Sequence, residues 1–303
     1  ASRYTQPSLL HSLVPAFRPA TGGRANLAPY PDSDRASKFE ALFIYKSYFW
    51  CHDVPLKVGR TPYLSSEPFY FDMTNRGIEV QELPPNELTP AISEGRLQGG
   101  LVSLVDTFGL DGSMQTLSGF CLATIFQAVS VKLHSKTPIE ELSGGSIAIP
   151  KEAPTAVKLL QVLLSLKHGV KPGAYVSEDD PHDARLLVGN LGLRHRRGLR
   201  GFPDTYDLGE EWSRWTNLPF VFARWVLRYD LERQDALMIE DSLYTSLQDW
   251  ADGLYRVSGP SNRVPIHPQE ILQYTQGIRY FIGVPEEQSI AVFKEYLTQL
   301  SDN

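Results

Sequence analysis

The sequence predicts an α/β protein of two lobes with a ligand cleft between them, on three observations. Over Tyr206–Leu227 a capped helix runs into a long apolar strand, the joint that a crossover between two lobes needs. From Leu56 onward, short apolar runs alternate with helical patterns, which lays strands beside covering helices. With 303 residues, 42% hydrophobic and 21% charged, the chain has material for two cores and lacks the bias of a disordered or coiled-coil protein.

Residues 1–54 read as an extension ahead of the main fold. Pro15–Pro19 and Ala28–Asp34 are loop-forming, and Phe39–Trp50 is aromatic enough to need a partner surface. Leu56–Arg60 is a short strand followed by a loop over Thr61–Pro68. In open α/β sheets ligands bind beyond the carboxyl ends of strands, so that loop is a site candidate by position. Ile78–Leu83 reads as a second strand, Thr89–Leu97 as a short helix and Leu101–Val105 as a third strand. Phe120–Leu133 is expected to be the outgoing crossover strand.

In the second lobe, Ser146–Pro150 is a strand and Pro154–Lys167 a helix. Ala156, Leu159, Leu160, Leu163 and Leu166 form the helix's apolar stripe, and Pro154 suits its first position. The start of that helix offers unpaired N–H groups and a positive dipole end, suited to a carboxylate. Asp183–Asn190 reads as a strand, and the basic run Arg194–Arg200 as a solvated loop or a steering patch for an anion. Asp207 with Glu210 forms a capping-box pattern, so a helix opens at Leu208. Trp212 and Trp215 share its buried face, Asn217 ends it and Pro219 keeps it from resuming. Phe220–Leu227 is apolar almost throughout, as a strand covered on both faces is. Asp235–Tyr255, Gln269–Tyr280 and Pro285–Leu300 are helical by period, and His267 is a turn residue.

The words of the crossover segment add to its pattern. Asp-Leu-Gly-Glu-Glu-Trp at 207–212 and Trp-Thr-Asn-Leu-Pro-Phe-Val-Phe-Ala-Arg-Trp at 215–225 resemble the signature of the MqnA/MqnD family, which includes chorismate dehydratases. Ser135-Lys136-Thr137-Pro138-Ile139-Glu140-Glu141-Leu142 is similar to the run that opens the family's second lobe. The resemblance covers about Leu56–Tyr296. It implies a periplasmic-binding-protein type II-like fold: two lobes joined by two hinge strands, the first lobe discontinuous (55–127 with 225–303) and the second spanning 128–224. It also implies a lyase that removes water from chorismate, giving 3-[(1-carboxyvinyl)oxy]benzoate on the futalosine route to menaquinone, without a cofactor. The alternatives are a diverged member acting on another small carboxylate and a non-catalytic ligand-binding protein.

Carried over position by position, the resemblance places Ser65 and Thr124 as catalytic residues. Tyr63, Ser66, Ser103, Thr155, Ala156 and Asn190 become substrate-binding residues. Several depart from the family pattern. Ser65 stands for an Asn, Thr124 for a Ser, Ala153 and Ala156 for two Ser around Thr155, and Asn190 for an acid. A Ser hydroxyl lacks the two-ended reach of an amide, and Asn190 carries no charge.

Other chemistries find no support. The seven histidines include no His-x-x-x-His pair, and no Walker loop, dinucleotide fingerprint or nucleophile elbow is present, so no metal or cofactor is expected. A net charge of −6 gives no reason to expect nucleic acid. No apolar run approaches the roughly 18 residues of a membrane span. Ser8–Val14 is too short for a secretory signal and is broken by His11, so a cytoplasmic location is expected. Cys51 and Cys121 are expected to be separate reduced thiols. The resemblance implies a small anionic carboxylate as the partner, with neither nucleic acid nor membrane.

Overall fold

The computed structural model describes residues 55–301 apart from 72, 111, 255–263 and 265. The expectations for residues 1–54, Cys51 among them, lie outside the described residues. Residues from Val54 onward form one unit, built on two sheets.

The first lobe is laid down by β1 (Lys57–Arg60), β2 (Glu79–Glu82), α1 (Pro85–Ser93), β3 (Gly99–Ser103), a one-turn helix α2 (Leu104–Thr107) and β4 (Met114–Thr124). The chain then crosses to the second lobe. There β5 (Lys132–Ser135), β6 (Ser146–Ala148), α3 (Pro154–Val162), β7 (Ala174–Val176), β8 (Ala184–Leu187), α4 (Gly189–Arg194) and β9 (Asp204–Asp207) follow. It returns through α5 (Leu208–Thr216) into β10 (Phe220–Arg228), and ends with α6 (Arg233–Leu254), α7 (Pro268–Gln276), β11 (Ile278–Phe281) and α8 (Val284–Ser301). Strand order is β11-β4-β10-β3-β1-β2 in the first sheet and β7-β6-β8-β5-β9 in the second. The two predicted crossover strands are neighbours: Phe220 pairs with Thr124 and Val221 with Ala123, antiparallel.

The crossover helix forms as its sequence dictates. The Asp207 carboxylate accepts from the N–H groups of Gly209 and Glu210, which satisfies two of the orphan donors at the helix start. At the other end Asn217 adopts φ 58°, the left-handed cap that Asn tolerates. Trp212 is fully buried and meets Trp215, Phe220, Phe293 and Tyr296, ring centroids 5.2–6.1 Å apart, and its indole N–H donates to Ser289 Oγ. One side chain thus ties the crossover to α8 and β10. Trp215 stacks on Tyr296 and is only half-buried.

Several boundaries differ from the sequence reading, each for a local reason. α1 starts at Pro85 rather than Thr89, because proline is at home in a first turn, and a second proline, Pro90, is accommodated inside it. The third strand is Gly99–Ser103, and Leu104 already begins α2. Phe120–Leu133 is not one strand: β4 stops at Thr124, and Val129 takes φ 60°, costly for a β-branched residue, before β5. The helix from Pro154 turns to π-helical hydrogen bonding over Leu163–Lys167. β8 ends at Leu187, since Gly189 at φ 61° starts α4. Gln269–Tyr280 splits into α7 and β11, the latter recruited as an edge strand by β4. His267 caps α7, its N–H donating to Glu270.

His134 lies in the middle of β5, fully buried, with Nε2 unpartnered and Nδ1 3.1 Å from Thr205 Oγ1. Burial, helped by the Lys132 charge, lowers its pKa to about 4. The unfolded chain therefore takes up this proton first, so the contribution is complete above about pH 6.5 and lost as pH falls towards 4. Urea unfolding of the wild type should lose about 2–3 kcal/mol across that window. His134→Gln should flatten that part of the profile; an unchanged profile would refute the assignment. Cys121, the free thiol among the described residues, is buried too, and burial pushes its pKa up to about 12.

Candidate functional site

The carboxyl ends of β1, β3 and β4 and the amino-terminal half of the antiparallel β10 face the second lobe across a cavity of about 90 Å³. Seen along the sheet, its floor is Thr61 after β1, Leu101 and Ser103 of β3, Phe222 and Ala223 of β10, and Leu122 and Thr124 of β4. Tyr274 and Ile278, from α7 and β11, close one side. The second lobe supplies Ala153, Pro154, Thr155 and Ala156 at the start of α3, with Val188 and Gly189. Ala128, Ser130 and Val131 come from the outgoing crossover.

Eight lining residues carry hydroxyls: Thr61, Tyr63, Ser65, Ser103, Thr124, Ser130, Thr155 and Tyr274. Among the described residues that line the cavity, none is a carboxylate, imidazole, amine or guanidinium. Nor is there any cluster of His, Cys, Asp and Glu among the described residues that suits a metal ion. The site can therefore orient a guest and solvate charge with dipoles, but its described lining holds no side-chain base of ordinary pKa. Burial raises the Tyr63 pKa to about 12, assisted by Glu152, and burial also raises that of Tyr274, against its hydrogen bonds to Ser130 and Ser65. Both phenols stay protonated and act as donors.

Of the eight residues expected from sequence, six line this cavity: Tyr63, Ser65, Ser103, Thr124, Thr155 and Ala156. Thr124 lines the cavity, and its Oγ1 is buried beside Gly209 without a hydrogen-bond partner. The Thr155 hydroxyl meets Ser103 Oγ at 2.6 Å and accepts from Val105 N–H at 3.2 Å, so it bridges the lobes. Ser66 and Asn190 lie outside the lining. Ser66 Oγ is spent on the carbonyls of Thr61 and Tyr63 and on Thr61 Oγ1, shaping the loop that carries Tyr63 and Ser65. Asn190 accepts from Leu64 N–H at 3.0 Å and donates to the Pro62 carbonyl at 2.7 Å. Its neutral amide uses both ends to pin that same loop to the second lobe. Gly189 makes the close approach possible: a Cβ there would lie 2.5 Å from the Tyr63 ring.

Thr61, Ser130 and Tyr274 were missed. Tyr274 sits in a C-terminal segment that carries no catalytic spacing, and its Oη donates to Ser130 Oγ, 144 residues away, at 2.8 Å. The basic run also turns out differently: Arg196 and Arg197 both pair with Glu270 of α7, at 2.6 and 2.9 Å, rather than standing free. Hydrogen bonds from Arg196 and from the His267 N–H hold the Glu270 pKa down to about 2. Leu193 joins Ile271 and Tyr274 in one apolar cluster beside that ion pair.

The first turn of α3 leaves backbone donors without helix partners. Pro154 has no N–H, Val157 N–H is taken by the Ala153 carbonyl, and the methyl of the N-cap Ala153 cannot accept from the rest. Asp207 lies behind the crossover. One oxygen accepts from Ala128 N–H (2.8 Å), Gly209 N–H (3.0 Å) and Glu210 N–H (3.2 Å), the other from Val129 N–H (2.7 Å). Burial raises its pKa, and these hydrogen bonds oppose the rise. Both crossovers are thus clasped by one carboxylate.

Comparison with known proteins agrees with this architecture. A protein of Archaeoglobus fulgidus, AF1704, superposes with a TM-score of 0.59 at 16% identity, covering 83% of this chain and 100% of its own. The Candida albicans CA3427 gene product, described as having the generic periplasmic binding protein fold, gives a TM-score of 0.53 at 11% identity, over 82% and 91% of the two chains. The periplasmic aliphatic sulphonate binding protein SsuA of Escherichia coli gives 0.54 at 12% identity, over 82% and 87%. The chain therefore has the periplasmic-binding-protein fold expected from its sequence. In sequence it is 25% identical over 263 residues to the chorismate dehydratase of Thermus thermophilus, covering 80% of this chain and 95% of that enzyme. Residues 56–299 match the family model described as menaquinone biosynthesis, and the chain belongs to that family.

Proposed function

We propose that this protein is a chorismate dehydratase-like hydro-lyase, eliminating water from chorismate to give 3-[(1-carboxyvinyl)oxy]benzoate on the futalosine route to menaquinone. The observation that carries the reading is a half-open cavity between the two lobes whose polar side chains are all hydroxyls, with no side-chain base among the described residues that line it. Loss of one ring hydrogen and the neighbouring hydroxyl makes the ring aromatic, so the step is downhill once started. The substrate's own carboxylate takes the proton, and the protein contributes position and dipoles. The α3 start and Thr155 receive a carboxylate. Ser65, Thr124 and Tyr63 donate hydrogen bonds to the reacting end and the departing hydroxyl.

Purified protein should deplete chorismate without added metal or cofactor, followed by the rise of product absorbance and by mass spectrometry. Thr124→Val keeps the shape and removes the unpartnered hydroxyl, and should lower kcat about 10–100-fold. No depletion by the folded wild type would sink the reading.

A second reading is favoured by one feature. The Thr155 hydroxyl and the Asn190 amide are already engaged within the protein, and Ala153 and Ala156 offer none. A family member with fewer free donors suits another small carboxylate, converted or simply bound. A thermal-shift series of cyclic and aromatic acids would reveal it, because a guest of the folded state raises Tm. A cytoplasmic location accompanies both readings; no helix among the described residues is long and apolar enough to cross a membrane.

A further inference from the structure

The start of α3 serves the main cavity, and its following turns face a second, open cleft of about 520 Å³, a ligand-sized space. No residue lines both. Lys158, Gln161 and Ser165 are spaced to share one face of α3 and its π-helical continuation, and they span about 10 Å of its length. Val170, Lys171 and Tyr175, which follow that helix, extend the second lobe's side of the lining. The first lobe supplies an apolar wall: Val105 and Phe108 at α2, with Leu297 and Leu300 of α8, none of them fully buried.

The charge around this cleft is of one sign. Among the described residues that line it, two are lysines and none is a carboxylate. Lys57, Lys136 and Lys167 each have a carboxylate partner, whereas Lys158 and Lys171 have no ion pair with any described residue. A third ammonium, that of Lys294, lies 5.7 Å from the Phe108 ring centroid and adds positive charge beside the same wall. The chain carries a net charge of −6, so three cations around one apolar trough depart from the overall charge balance. Burial pushes the Tyr175 phenol up to about 12, so it stays a hydrogen-bond donor. A neutral apolar guest would cover the wall and leave the lysines unpaired. An inorganic anion would meet the lysines and leave the wall wet. A guest with an acid group on an apolar body satisfies both.

We propose that this cleft is a binding site for a small amphipathic organic anion. Its acid group is held by Lys158 or Lys171, and its apolar body lies on Phe108, Leu297 and Leu300. The site goes beyond the proposed function and does not depend on it, because the two spaces share no lining residue.

The probe is 1-anilinonaphthalene-8-sulfonate, compared with N-phenyl-1-naphthylamine, the same rings without the acid. Fluorescence and calorimetry on the full chain should show one sulfonate bound per chain, about tenfold more tightly than the amine. In the double variant Lys158→Gln/Lys171→Gln that preference should fall to about one while affinity for the amine holds, a pattern that loosening of the fold does not produce. Leu300→Ser should weaken both probes alike. Lys151→Gln, at an exposed lysine outside the lining, should change neither. Absence of saturable sulfonate binding overturns the proposal, as does a preference that survives loss of both lysines. An equal loss of preference in Lys151→Gln would mean a diffuse surface field instead of a site, and overturns it too.

Discussion

Replacing Asp207 with Ala should cost about 3–5 kcal/mol of folding stability, an unusually large loss for a residue outside the apolar core. Four backbone N–H groups share its carboxylate: Ala128 and Val129 on the outgoing crossover, Gly209 and Glu210 on the returning one. Loss of the helix cap alone accounts for about 1 kcal/mol. Each buried N–H left without an acceptor adds about 1–3 kcal/mol, partly recovered where water enters. Val129 adds a movement to the loss, its released strain offsetting part of the cost. Its φ of 60° is strained for a β-branched residue, and the hydrogen bond from its N–H to Asp207 holds it there. Released, the crossover relaxes and displaces Ala128 and Ser130, which line the cavity. Ligand affinity should therefore fall together with stability. Asp207→Asn keeps one acceptor oxygen and should lose about half as much. Urea unfolding of the three proteins, with a ligand titration on each, checks this. An Asp207→Ala protein as stable as the wild type would show that the clasp does not hold the hinge.

The same residue shows how far sequence reasoning reached. Asp207 was legible as a helix cap, because Asp followed three residues later by Glu is a local pattern with a local consequence. Its second task, accepting from Ala128 and Val129 some 79 and 78 residues earlier, has no local signature. The site divides in the same way. Ser65, Ser103, Thr124 and Thr155 were marked by the family resemblance, and they fall at strand ends, in the loop after β1 or at a helix start. Tyr274 sits on the buried face of an amphipathic helix, where a tyrosine reads as core, and β11 reads as the continuation of that helix until β4 claims it. Asn190 is instructive in another way. Where an acid was expected, its amide bonds two backbone groups of the Tyr63 loop, and a carboxylate has no donor for the Pro62 carbonyl. The change therefore accompanies a different lobe contact and not simply a lost charge.

Ala153→Asp should move stability and function in opposite directions. The residue is the N-cap of α3, where Ala leaves the first N–H groups uncapped, and it lines the cavity. An Asp there caps the helix and complements its dipole, a gain of about 0.5–1 kcal/mol. The same carboxylate then occupies the donors that a ligand's carboxylate needs. Two like charges about 4 Å apart at an effective dielectric near 20 repel by about 4 kcal/mol, so kcat/KM or ligand affinity should fall by about two to three orders of magnitude. Ala153→Asn separates the two causes: it competes for the N–H groups without the charge, and its loss should be much smaller. Thermal unfolding and ligand titration of both variants give the answer. Undiminished affinity in Ala153→Asp would place the ligand's carboxylate away from α3. A matching loss in both variants would mean that the space at this helix start matters and its charge does not.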